Sequence, residues 1–178
     1  MVGRRTYATT RTIALALALV GVGCTGAEHA RVPSARPPLP RGEPTTADLA
    51  PGHRFCSADD LSAVVQEVNV LRRKYGLRQL GNDTYLARFA RSRSAAMAAE
   101  RRLSHTGYEQ ALRQAGLEDD SIGENVAYNF DTPEAVMEGW LASPGHRDNI
   151  LRPAYKRIGV GCVIDDRGHR WWTQDFAG

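Results

Sequence analysis

The sequence predicts an α+β domain, and three observations carry that prediction. Apolar residues recur at helical spacing in the first half of the foldable chain: Leu61, Val64, Val65, Val68 and Leu71, a stripe for one helix face. Near the end, Ile158, Val160, Cys162 and Ile164 alternate with other residues, which is the period of a half-buried strand. The polar run Asp165-Asp166-Arg167-Gly168 then turns the chain, and Trp171 to Phe176 returns as a partner strand.

The remaining elements follow in order. Ser57 caps the first helix and Gly76 stops it. A second helix runs from near Asp83 through Leu86, Phe89, Ala90 and Met97 to about Arg102, its alanines favouring helix intrinsically. Tyr108, Ala111, Leu112 and Ala115 form a short third helix ended by Gly116, and Ile122 to Tyr128 reads as a strand. Thr132 caps a fourth helix with Pro133 at its first position, and Val136, Met137, Trp140 and Leu141 form its core stripe.

The N-terminus reads as targeting rather than fold. Residues 1–23 hold Arg4, Arg5 and Arg11, then an apolar run over Ile13–Val22, too short for a stable membrane span and suited to a secretory signal. Gly21 and Gly23 precede Cys24, the arrangement of a lipoprotein signal with Cys24 lipidated. Gly21 stands where an aliphatic residue is usual, and ordinary cleavage nearby is the alternative. That segment contains three basic residues and no acids, so the formal +3 of the 178-residue chain belongs to it and the remainder is balanced. Nothing in that balance points to nucleic acid. The basic cluster Arg88, Arg91, Arg93, Arg101 and Arg102 reads as a solvated helix face. Residues 24–55 form a tether, and Ala27–Gly52 within it carries six of the nine prolines. It has too little apolar surface to offset its ordering entropy. Residues 56–178 are then one domain.

If Cys24 carries lipid, Cys56 and Cys162 remain as a pair. In an oxidising compartment they form a disulfide tying the start of the first helix to the strand Ile158–Ile164. The alternative is two independent thiols.

The chemistry concentrates in short polar motifs: Ser104-His105-Thr106, Gly123-Glu124-Asn125, and Ser143-Pro144-Gly145-His146-Arg147-Asp148-Asn149-Ile150-Leu151. Loops on a rigid scaffold are where sites usually sit. His105, Glu124 and His146 are the candidate catalytic residues and, as two imidazoles and a carboxylate, candidate ligands for a divalent metal such as zinc. Their sequence spacing does not bring them together, and each also has a structural use on its own. With Ile158-Gly159-Val160-Gly161 and Trp171-Trp172-Thr173-Gln174, these motifs resemble the bacterial branch of the CAP superfamily, the cysteine-rich secretory, venom-allergen and plant pathogenesis-related proteins, over Leu61 to Phe176.

That resemblance implies a three-layer α-β-α sandwich with a central cleft. In eukaryotic members two histidines and two glutamates face the cleft and can hold a metal. His105 and Glu124 match the first histidine and first glutamate. Ser143 stands at the second glutamate's position, and Glu138 lies on another helix face. Trp171 stands at the second histidine's position, with His169 about 7 Å away along the strand. A reduced site of His105, Glu124 and His146 is therefore expected. Two functions compete. One is an exported, lipid-anchored module at the cell envelope that binds a lipid or another envelope ligand or partner. The other is a hydrolase working through a His/Glu cleft, metal-assisted or not, with Ser104 or Ser143 as the serines to test. The chain shows no nucleophile elbow and no His-Glu-x-x-His helix, which puts binding ahead.

Overall fold

The computed structural model describes residues 45–178. The expected signal segment and Cys24 lie outside them. Before the sheet, a short 3-10 turn at Thr46–Asp48 is closed by a reciprocal Thr45/Asp48 capping box. Leu49, just after it, packs beside the core residues Met97 and Trp171. Strand β1 (Arg54–Phe55) pairs with the penultimate strand, so the folded unit begins ahead of Cys56.

Helix α1 spans Ala58–Lys74. Ser57 Oγ accepts from the Asp60 N–H at 3.0 Å while the Asp60 carboxylate takes the Ser57 N–H at 3.3 Å, two orphan donors satisfied together. Asp59 and Asp60 in the first turn and Arg72, Arg73 and Lys74 in the last complement the helix dipole. Gly76, at φ +68°, ends it as expected. A two-residue strand β2 (Gly81–Asn82) leads into α2 (Thr84–Glu100), whose N-cap Asp83 accepts from the N–H groups of Tyr85 and Leu86. Helix α2 stops slightly earlier than expected, because Arg101 adopts a left-handed conformation at φ 50°. Helix α3 (Tyr108–Gln114), strand β3 (Ile122–Tyr128) and helix α4 (Pro133–Ala142) follow. Helix α5 (Pro144–Ile150) comes next, then β4 (Arg157–Ile164) and β5 (Arg170–Ala177).

The sheet runs β1-β4-β5-β3 with antiparallel pairing, and β2 lies parallel against the other part of the β4 edge. Side chains of β5 alternate between its faces. Trp172 and Phe176 join the core made with Val64 and Val68 of α1 and Val136, Met137 and Trp140 of α4. Trp171 packs with Met97 and Ala98 of α2, and Ala177 with Leu86 of the same helix. Helices therefore cover both faces, the α-β-α sandwich. The Gly159-Val160-Gly161 motif is explained by packing: a Cβ at Gly159 would lie 2.1 Å from the Ala87 nitrogen, and one at Gly161 2.3 Å from the Ala90 carbonyl carbon. Helix α2 sits that close to β4 only because both side chains are missing.

Cys56 and Cys162 are bonded, with Cα atoms 5.3 Å apart and 106 residues between them in sequence. The Cys56 N–H also donates to the Cys162 carbonyl at 3.0 Å. The bond fastens the start of α1 to the middle of the sheet.

Candidate functional site: a histidine cleft over a buried ion pair

The three candidate residues come from separate elements and converge at the β3 edge of the sheet. Glu124 is an inward position of β3, and its side chain is fully buried. His105 lies in the loop that leads to α3, and its Nδ1 is 3.0 Å from Glu124 Oε1. His146 sits in the first turn of α5, with its ring centroid 6.4 Å from that of His105. His105 remains half exposed, with 52% of its side-chain surface open. The Tyr108 ring meets it edge-on at 6.4 Å. A shallow depression opens beside it along Gly107, Tyr108, Glu109 and Arg113. Burial, then the neighbouring His105, pushes the His146 pKa down, which favours a neutral imidazole.

Two further residues complete the cluster. Arg93 of α2 donates Nε–H to Glu124 Oε2 at 2.8 Å and Nη2–H to Oε1 at 3.2 Å, and also reaches the Ser104 carbonyl at 2.5 Å. Burial opposes its charge, but the Glu124 hydrogen bond and carboxylate outweigh that and raise its pKa. The expected solvated basic face is therefore corrected at Arg93, which is only 16% exposed and turned in to Glu124. A bidentate pair of this kind fixes direction as well as charge. Asp175 of β5 stands opposite Glu124 in the ladder, is fully buried, and has no hydrogen-bond partner on either oxygen. Burial, and then the Glu124 charge, pushes its carboxyl well above the usual range against the pull of Arg93. Both effects favour the neutral form of the Asp175 carboxyl.

Several residues of the polar motifs serve to hold this edge strand. Asn149 Nδ2 donates to the Glu124 carbonyl at 3.2 Å and to Asn125 Oδ1 at 2.9 Å. Asn125 in turn donates to the His146 carbonyl and to Gln174 Oε1, both at 3.1 Å. Tyr155 O–H donates to Asn149 Oδ1 at 3.3 Å, and a Cβ at Gly123 would fall 2.1 Å from that hydroxyl oxygen. Trp140 Nε1–H donates to the Val126 carbonyl at 3.3 Å. The β3 carbonyls of Glu124 and Val126 thus accept from side chains, and α5 is pinned where His146 faces His105.

The donor set does not fit a resident metal ion. Both Glu124 oxygens are committed to the Arg93 guanidinium, one of them also to His105, and a cation beside Arg93 would meet like charge. Among the described residues, no three His, Cys, Asp or Glu side chains are disposed to hold an ion. Trp171, at the expected histidine position, is buried at the other end of the strand, packed on Tyr128 and donating to Asp165. Neither serine is set up as a nucleophile. Ser104 Oγ accepts from the Thr106 N–H at 3.0 Å. Ser143 occupies the N-cap position of α5, but its side chain makes no capping bond; its carbonyl takes the Arg147 N–H instead.

Sequence reasoning did not find Arg93 or Asp175. Arg93 had a signal: it falls seven residues after Leu86 and four before Met97, on the buried stripe of α2. Asp175 sits in a strand buried on both faces, where a carboxylate is out of place.

Comparison with known proteins places this arrangement. The sequence profile of the cysteine-rich secretory protein family, CAP, matches residues 65–176. YkwD of Bacillus subtilis, an uncharacterized protein, is 36% identical over 120 residues, 65% of this chain and 46% of that protein. YlbC of the same organism, an uncharacterized membrane protein, is 35% identical over 118 residues, 64% of this chain and 33% of that protein. The chain therefore spans less than half the length of either relative. An extracellular SCP-domain protein of Bacillus anthracis superposes with a TM-score of 0.61 at 27% identity, over 67% of this chain and 40% of that one. An outer surface protein of Borrelia burgdorferi shares the fold, with a TM-score of 0.65 at 19% identity over 70% and 96% of the two chains. With the three-layer sandwich and the His105–Glu124 pair in place, the chain belongs to the CAP family.

Proposed function

We propose that this protein is an exported CAP-domain binding module that presents its His105/His146 cleft to a lipid at the cell envelope, anchored through Cys24. One observation carries the reading. Glu124 is committed to Arg93 and His105, so the pair fixes a half-exposed imidazole as a contact surface, and among the described residues no serine hydroxyl is hydrogen-bonded to that ring. The exposed face of His105, the Tyr108 ring and His146 offer both polar and apolar contact, which suits an amphiphilic ligand. The extracellular and outer-surface descriptions of structural relatives support an extracytoplasmic place.

A second reading is favoured by the same hydrogen bond. A buried carboxylate that orients an imidazole is how a general base is held, so hydrolysis with His105 as base is the competitor. It needs a nucleophile within reach of His105, and among the described residues no serine hydroxyl is hydrogen-bonded to that ring.

Calorimetric titration with dispersed phospholipid separates the two. The wild type binds, His105→Ala and His146→Ala each bind about tenfold more weakly, and the lipid is recovered chemically unchanged. Cleaved lipid, or binding indifferent to both substitutions, removes the proposal.

A further inference from the structure

The Arg72 guanidinium draws the end of α1 against the end of α5, donating to the carbonyls of Arg78 at 2.9 Å, Ile150 at 2.8 Å and Arg152 at 3.0 Å. Cationic side chains surround that junction, and all are exposed: Arg73, Lys74, Arg78, Arg147, Arg152 and Lys156. Among the described residues none of them is in an ion pair. Arg147 donates to the Tyr75 hydroxyl at 2.8 Å, and Arg152 lies over the Tyr155 ring at 5.7 Å. The Tyr75 ring, beside Lys74 and Arg147, is 53% exposed. Asp148 is one acid among these cations. Other carboxylates are held elsewhere. Asp83 and Asp119 both grip Arg157, and Glu67, Glu134 and Glu138 gather between α1 and α4, where they repel one another. A merely solvated surface interleaves the two signs of charge; here the cations are segregated around one junction.

We propose that this basic face docks on an anionic lipid surface, with its lysines and arginines against the headgroup phosphates and the Tyr75 ring at headgroup level. Each Lys or Arg near such a surface adds to the attraction, and an amphipathic tyrosine ring favours the membrane–water interface. Arginine forks also match phosphate oxygens. A single acyl chain anchors only marginally, and a basic face is the kind of second signal that makes attachment stable. Docking holds α5, and so His146, close to the bilayer, but the proposal does not depend on what the histidine cleft binds.

The test is co-sedimentation of the full chain with vesicles of phosphatidylcholine alone and of phosphatidylcholine mixed equally with phosphatidylglycerol. The mixed vesicles bind the protein more tightly, and raised salt removes the difference. The double variants Arg73→Gln with Lys74→Gln, and Arg78→Gln with Lys156→Gln, each with native tryptophan fluorescence, bind the mixed vesicles about fivefold more weakly for each charge removed. A control, Arg102→Gln with Arg167→Gln, removes the same charge near the β4–β5 turn, where Arg101 meets Asp166, and binds as the wild type does. Arg4, Arg5 and Arg11 are common to every variant, so the comparison reads the face alone. The proposal is overturned if both vesicles bind equally, if both face variants match the wild type, or if the control loses as much as they do. Capture of the protein by long-chain polyphosphate, without binding to the mixed vesicles, assigns the face to an anionic polymer and overturns the lipid reading.

Discussion

Arg72 offers the sharpest test of what holds the cleft together. It is fully buried on α1, yet all the acceptors that its guanidinium reaches are backbone carbonyls: Arg78 at 2.9 Å, Ile150 at 2.8 Å, Arg152 at 3.0 Å and Tyr155 at 3.5 Å. One side chain thereby ties the end of α1 to the end of α5 and to the loop that carries Tyr155. Arg72→Ala strips donors from these carbonyls, at about 1–3 kcal/mol for each one that water cannot reach. It also removes the two buried methylenes Cγ and Cδ, about 0.8 kcal/mol each. Against this, the variant no longer buries a charge, whose desolvation costs several kcal/mol. The net loss expected is about 3–5 kcal/mol, the lost donors and packing less the desolvation cost that is relieved. Arg72→Met, which keeps the stem but not the donors, should recover the packing share alone. Urea unfolding of the disulfide-intact protein, monitored by tryptophan fluorescence, reads both. A loss below about 1 kcal/mol in Arg72→Ala would show that water satisfies the carbonyls and that the side chain is not the tie described.

Three other outcomes are expected. Replacing Cys56 and Cys162 together by serine should cost about 2–4 kcal/mol, below the chain-entropy ceiling of about 4.7 kcal/mol for a loop near 100 residues; free thiols in peptide maps of exported wild-type protein would contradict the bond. Burial works against the Asp165 carboxylate, but hydrogen bonds from Trp171 Nε1 and the N–H groups of His169 and Arg167 outweigh it and hold its pKa at about 2. A lowered pKa means stability present above about pH 4 and lost as pH falls through about 2; Asp165→Ala should therefore be destabilised at pH 7 by roughly 2 kcal/mol, with the gap closing towards pH 2, and a pH-independent gap counts against it. For Asp175 the sign reverses. Its pKa is raised, so the folded state is favoured below the usual carboxylate range and loses ground as pH rises. Asp175→Asn should match the wild type near pH 4 and be the more stable protein at pH 8 in thermal melts; a less stable variant at pH 8 would refute the neutral-acid assignment.

The periodic elements were legible in the sequence, and the polar interior was not. Helix α1 announced itself by its Leu61–Leu71 stripe and the Ser57 cap, and strands β3, β4 and β5 by alternation and a turn, because these signals are local. Strands β1 and β2 are two residues each and exist only through pairing with β4, so no local pattern marks them. His105, Glu124 and His146 were readable as chemistry and through family resemblance, but their convergence depends on how α5 is pinned to β3 by Asn125 and Asn149. Arg93, Arg72 and Asp175 were hidden for a common reason. Charged residues are read as surface, and only tertiary structure shows that a carboxylate or a set of carbonyls waits for them inside.

The central claim is that the Glu124–Arg93 pair holds His105 beside His146 as a lipid-binding surface. The most direct measurement is a ¹H–¹⁵N NMR titration of the wild type and Glu124→Gln with detergent-dispersed phospholipid, following the amides and imidazole signals of His105 and His146. The account predicts saturable shifts at His105, Tyr108 and His146 in the wild type and a marked loss of them in a still-folded Glu124→Gln. Shifts confined to other surfaces, or an unchanged cleft response in Glu124→Gln, would contradict it.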